Sequence, residues 1–151
     1  MRKLNRIKAI LYDLDGVLVD ACDWHYHSLN RALKEVVNTT INRNDHMATY
    51  NGLPTRSKLK LLNVFGDEAE EVWKKKQKYT IEVINEMAHN APEKRRLHEL
   101  TKMLGIKSCC VTNAIRETAE LMLKKTGQLE YMEFVVSNED VEDNKPSPEC
   151  Y

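Results

Sequence analysis

Two aspartates one residue apart, Asp13 and Asp15, close a short apolar run and are followed at once by Gly16. Far along the chain come a hydroxyl beside an amide, Thr112-Asn113, and then an ammonium, Lys145, ahead of Pro146. Each has an ordinary reading alone: a turn, a helix N-cap and a surface loop. An EF-hand loop starting at Asp13 fails, because its Gly and Glu positions are held by Leu18 and Trp24. Taken in order, the residues suit phosphoryl transfer through a covalent intermediate. Asp13 is placed to attack phosphorus as a carboxylate. Asp15 is placed to protonate the leaving oxygen and later deprotonate water. Lys145, the Thr112 hydroxyl and nearby N–H groups would balance and bind phosphate oxygens. An anion attacking a phosphate dianion calls for a cation between them, which makes Mg²⁺ the expected cofactor.

Those residues work only if the fold brings them to one place. Ile7 to Tyr12 is apolar enough for a buried strand ending at Asp13. Ser108-Cys109-Cys110-Val111 predicts a second strand running into Thr112, and Phe134-Val135-Val136 a third. Helical spacing links Leu29, Leu33 and Val36/Val37, and then Leu59 and Leu62. It also links Trp73, Thr80 and Ile84 beside Tyr79, Val83 and Met87, and later Leu97, Leu100 and Leu104 ahead of Gly105. Ile115, Ala119 and Met122 complete a helix between the second and third strands. Strands joined through helices predict an α/β protein with a Rossmann-like parallel sheet, whose carboxyl edge gathers the chemistry. The first connection is far longer than a crossover helix needs. The expected division is therefore residues 1–19 and 91–151 as the sheet core, and residues 20–90 as an inserted helical cap. Within that insert, Lys74-Lys75-Lys76 reads as a solvated face.

Composition narrows the class. The chain has 151 residues, 23 Lys+Arg against 23 Asp+Glu, and 42% hydrophobic residues. A balanced charge excludes a general polyanion binder, so neither nucleic acid nor an anionic membrane is an expected partner. No apolar run approaches a membrane span. The basic start, Met1 to Arg6, precedes no cleavage-like segment. Four cysteines, Cys22, Cys109, Cys110 and Cys150, show no metal-ligand spacing; Cys109 and Cys110, adjacent in a strand, read as apolar filler, and reduced thiols fit a cytoplasmic address. His27, His46, His89 and His98 form no metal-binding pattern.

The segments Asp13-Leu14-Asp15-Gly16-Val17-Leu18-Val19-Asp20, Val111-Thr112-Asn113 and Lys145-Pro146-Ser147-Pro148 together resemble the first three motifs of the haloacid dehalogenase-like hydrolase superfamily. The closest likeness is to its β-phosphoglucomutase and phosphoglycolate phosphatase branch, with a helical cap after the first motif. The resemblance implies Asp13 as nucleophile and Mg²⁺ ligand, and Asp15 as general acid/base and Mg²⁺ ligand through its backbone carbonyl. It implies Thr112 and Asn113 as phosphate contacts and Lys145 as the group that stabilises the intermediate. It also places His25 at a cap hinge, where it seats the cap or interacts with Asp15. Asn51-Gly52-Leu53-Pro54-Thr55-Arg56-Ser57-Lys58 is similar to a specificity loop in which Arg56 or Lys58 grips an anionic substrate group. The implied function is a Mg²⁺-dependent phosphatase for a small phosphomonoester, a sugar phosphate or phosphoglycolate. The alternatives are a phosphomutase, or a non-catalytic phosphate-binding or receiver-like module. The family pattern continues past the lysine to an acidic pair that completes the Mg²⁺ site, so the sheet core is expected to be incomplete in a chain ending at Tyr151. Glu139, Asp140, Glu142 and Asp143 precede the lysine and are not expected to stand in for that pair.

Overall fold

The computed structural model describes residues 7–151. The basic start, Met1–Arg6, lies outside the described residues. The chain divides into two compact units: the described chain up to Val19 with His89–Tyr151, and Asp20–Ala88.

The first unit holds three parallel strands, β1 (Ala9–Tyr12), β2 (Lys107–Val111) and β3 (Met132–Val136), in the order β1-β2-β3. Leu11 pairs with Cys109 and Tyr12 with Cys110, so β2 ends one residue beyond β1. Cys109, Cys110 and Val111 are buried, which a small apolar residue tolerates in a strand packed on both faces. The helices of this unit that flank the sheet are α5 (Pro92–Met103) and α6 (Arg116–Lys125). Pro92 opens α5 at a position where its missing N–H costs nothing. On α6, Ala119, Met122 and Leu123 turn inward and lose all solvent contact.

The second unit is helical: α1 (Cys22–Val37), α2 (Arg43–Asp45), a wide turn over His46–Tyr50, α3 (Thr55–Leu61) and α4 (Gly66–Met87). Its core joins Leu29 and Leu33 of α1, Ile41, Leu59 of α3, and Val72 and Tyr79 of α4, with Trp73 packed against them. Fully burying such aliphatic side chains contributes roughly 1.5–3 kcal/mol each. Asn42 caps α2 by accepting a hydrogen bond from Asp45 N at 2.8 Å.

Two patterns differ from the sequence expectation. On α5 the stripe Leu97, Leu100 and Leu104 faces out, at 43%, 50% and 76% exposure, and the buried residues are His98 and Thr101. His98 is accepted inside because both ring nitrogens are partnered: Ser108 Oγ lies 3.4 Å from Nδ1 and Gln128 Oε1 3.0 Å from Nε2. Tyr12 meets the ring edge-on, and Tyr131 stacks on it. A satisfied imidazole between aromatic rings outcompetes leucines one step round the helix. In the lysine run, Lys74 is exposed and Lys75 pairs with Glu35 at 2.6 Å, but Lys76 is buried, its Nζ 3.5 Å from His25 Nδ1. The run is therefore not one solvated face.

Candidate active site

Asp13 is the first residue past β1, and Thr112 the first past β2. Lys145 arrives from the loop after β3, through a cis Lys145–Pro146 peptide. Its Nζ donates to Asp13 Oδ1 at 2.7 Å and to the Val111 carbonyl at 3.0 Å, joining residues 132 apart in sequence. Asp13 Oδ1 also accepts from Leu14 N at 2.8 Å. Both of these donors fall on one carboxylate oxygen, Oδ1. Asp13 is half-exposed at 47% of its side chain, whereas Lys145 is mostly covered at 19%. A covered ammonium on a half-open carboxylate fixes one edge of the anion while leaving the group reachable.

The turn after Asp13 is tightly made. Leu14 O accepts from Leu18 N at 3.0 Å and Val19 N at 2.9 Å, and Gly16 N donates to Val19 O at 2.8 Å. Gly16 sits at φ +80°, a backbone region that side-chain-bearing residues rarely adopt. Leu14, Leu18 and Val19 anchor the turn in the core, so Asp15 is carried on a buried frame.

Thr112 is buried, and its Oγ1 accepts from Ala114 N at 3.1 Å. The Asn113 side chain is committed to the main chain of Lys145: Oδ1 accepts from Lys145 N at 3.0 Å and Nδ2 donates to Lys145 O at 3.1 Å. This amide clasp holds the lysine loop, a role that residue type alone did not reveal. Cys110 lies beneath the site, its thiol pushed up to about 12 by burial first and by the Asp13 charge second. Asp140 accepts from Ser137 N and Oγ, each at 2.7 Å, and from Arg116, which holds its carboxyl far below the usual carboxylate range. Glu139 accepts from Arg116 N at 2.7 Å. These acids tie down the start of α6 rather than facing Asp13.

The structure therefore brings Asp13, Thr112, Asn113 and Lys145 to the carboxyl ends of β1 and β2, with Asp15 on the adjoining turn. His25, Arg56 and Lys58 belong to the second unit. Arg56 pairs with Glu70 at 2.9 Å and lies over the Trp73 ring. Lys58 is buried on α3, and His25 neighbours Lys76 on α4.

Among the described residues, no group of three or more His, Cys, Asp or Glu side chains is placed to cage a cation. Asp13 and Asp15 nonetheless supply hard oxygen donors. Mg²⁺ keeps several waters and needs only one or two carboxylates plus phosphate oxygens, so this donor set fits it. A structural zinc or calcium cage is not what these residues make.

A parallel sheet with a charged pair at its carboxyl edge and a helical insert after the first strand defines a class of α/β hydrolases. Residues 10–151 match the family described as haloacid dehalogenase-like hydrolase, and the chain belongs to that family. It is 30% identical over 152 residues to the pyrophosphatase PpaX of Anoxybacillus flavithermus, covering 95% of this chain and 65% of the relative. It is 25% identical over 148 residues to a phosphorylated carbohydrates phosphatase of Thermotoga maritima, covering 96% and 68%. The fold is shared with CbbY from Rhodobacter sphaeroides, solved in complex with phosphate: TM-score 0.84, 18% identity, 97% of this chain and 70% of that one. It is also shared with β-phosphoglucomutase from Clostridium difficile: TM-score 0.81, 22% identity, 96% and 68%. The chain thus spans about two thirds of the length of these relatives. No helix among the described residues is long and apolar enough to cross a membrane.

Proposed function

We propose that the protein is a Mg²⁺-dependent phosphatase that hydrolyses a small phosphomonoester through an aspartyl phosphate on Asp13. The observation that carries this reading is the Lys145 ammonium held on Asp13 Oδ1 and Val111 O. The Asp13 carboxylate attacks phosphorus as the bond to the leaving oxygen breaks, and Asp15 donates a proton to that oxygen. Asp15 then takes a proton from water as the water oxygen attacks phosphorus, releasing phosphate and restoring the Asp13 carboxylate. Lys145 offsets charge on Asp13 and the phosphoryl group, and Asn113 keeps Lys145 there through its backbone. The Thr112 hydroxyl and the N–H groups after β2 are proposed as phosphate contacts. The Asp13 carboxylate and the Asp15 main chain would hold Mg²⁺, which would supply charge neutralisation to the reaction.

The names of the relatives, a pyrophosphatase and a phosphorylated carbohydrates phosphatase, support a small phosphorylated metabolite as substrate, of the sugar phosphate or phosphoglycolate type. His25, Arg56 and Lys58 are proposed as the binding groups that the second unit contributes. The free cysteines suit a reducing cytoplasm. A receiver-like module is disfavoured by the compact unit Asp20–Ala88 between the first and second site segments.

The test is turnover of p-nitrophenyl phosphate with and without Mg²⁺ by the protein and by Asp13→Asn. Metal-dependent release of p-nitrophenol that the substitution abolishes is expected. Turnover that survives in Asp13→Asn overturns the proposal.

A further inference from the structure

The turn that carries Asp15 is gripped from outside by two side chains, on consecutive carbonyls. Lys94 Nζ, from the first turn of α5, donates to Val17 O at 2.7 Å. Gln128 Nε2, from the loop after α6, donates to Leu18 O at 3.0 Å, across 110 residues of sequence. Gln128 is fully buried, and every polar atom of its side chain is engaged. The second Nε2 hydrogen goes to Thr126 Oγ1 at 2.9 Å. Oε1 lies 3.0 Å from His98 Nε2, and His98 Nδ1 lies 3.4 Å from Ser108 Oγ. Because the Leu18 carbonyl only accepts, the amide nitrogen must face it, which leaves Oε1 to accept from the His98 Nε2–H. The backbone of Gln128 is set as well: its N–H donates to Leu123 O at 2.7 Å. Gly127 before it sits at φ +72°, and a Cβ there would fall 2.8 Å from Asn90 Oδ1. A buried polar chain thus runs Ser108, His98, Gln128, Leu18, from the amino end of β2 to the turn beside the nucleophile.

We propose that Gln128 and Lys94 are positioning residues for Asp15, clamping the Val17 and Leu18 carbonyls so that the turn holds the acid/base in place. Neither touches the reacting atoms. The Gln128 donor satisfies the carbonyl of buried Leu18 and ties the turn to the polar chain around His98. The same polar inward face accounts for α5 burying His98 and Thr101 instead of its leucines. The catalytic consequence rests on the phosphatase reading above; the clamp itself does not.

The experiment compares the protein with Gln128→Met, which keeps length and removes the donor, with Lys94→Met on the surface, and with Lys94→Arg, which keeps a donor. Amide hydrogen exchange is followed at Leu18 and Val19, and kcat and KM are measured with p-nitrophenyl phosphate and Mg²⁺. Loss of one net hydrogen bond predicts exchange about tenfold faster in Gln128→Met and about threefold faster in Lys94→Met. Lys94→Arg is expected to restore protection. kcat is expected to fall with the exchange change while KM stays constant. Unchanged exchange in both Met variants overturns the clamp, and faster exchange with unchanged kcat overturns the positioning role. If Gln128→Met does not fold, the Lys94 pair decides. A wild-type protein without turnover sinks the phosphatase reading instead, and exchange alone then decides the clamp.

Discussion

The Asn113 clasp offers the sharpest measurement on the site, because two roles for this residue predict different numbers. In the structure its amide makes two hydrogen bonds, at 3.0 and 3.1 Å, both to the Lys145 main chain. Each is worth about 0.5–1.5 kcal/mol net, so Asn113→Ala removes about 1–3 kcal/mol of loop docking. If that energy is all that keeps Lys145 on Asp13, kcat/KM falls by up to about a hundredfold. Lys145→Met, which removes the ammonium itself, is expected to cost about 10²–10³ in kcat, on the scale of losing one preorganised charge stabiliser. The decisive quantity is the double variant. An Asn113 that acts only through Lys145 adds nothing once the ammonium is gone, so Asn113→Ala with Lys145→Met should match Lys145→Met alone. The assay is steady-state hydrolysis of p-nitrophenyl phosphate with Mg²⁺, with thermal unfolding confirming that each variant folds. Additive losses would refute the clasp as the origin of the effect and assign Asn113 to the phosphate directly.

Other outcomes follow from groups away from Asp13. His46 is fully buried with neither ring nitrogen hydrogen-bonded, and its pKa is lowered to about 4 by burial first and then by Lys58, His25 and Arg43. Below the ordinary value of 6.5 the unfolded chain therefore binds a proton that the folded chain does not. Stability is full above pH 6.5 and falls as pH drops toward 4, at up to about 1.4 kcal/mol per pH unit. His46→Phe should flatten that dependence in urea unfolding at pH 5 and pH 7.5, and an unaltered slope would count against the assignment. Cys109 and Cys110 are buried, with both thiols raised by burial. Alkylation at pH 8 should reach half-buried Cys150 well before either, and equal labelling rates in the native protein would contradict that packing.

Much of the site was legible in the sequence because its parts are local. An apolar run ending in Asp-Leu-Asp-Gly reads as a strand delivering carboxylates to a turn, and a short buried strand before Thr112 repeats the geometry. Parallel pairing then places Asp13 and Thr112 at the same sheet edge without further information. Lys145 followed from its order in the chain, but not its contact with Val111 O, which depends on how the loop after β3 returns.

What sequence periodicity left open was direction. On α5 the leucine stripe and the His98–Thr101 stripe are equally good helical faces, and hydrophobicity favours the leucines. Only the tertiary structure shows Gln128, Ser108, Tyr12 and Tyr131 meeting around His98, so that a polar residue is satisfied inside. Lys76 is likewise one of three identical neighbours until α4 is set beside α1, where one lysine turns inward to His25. Asn113 is an amide of unstated purpose until Lys145 comes home from 32 residues away. Residue type and spacing determined the chemistry available to this protein. Partners distant in sequence decided which side chains are buried, because a buried polar group is stable only when a specific donor or acceptor lies within reach.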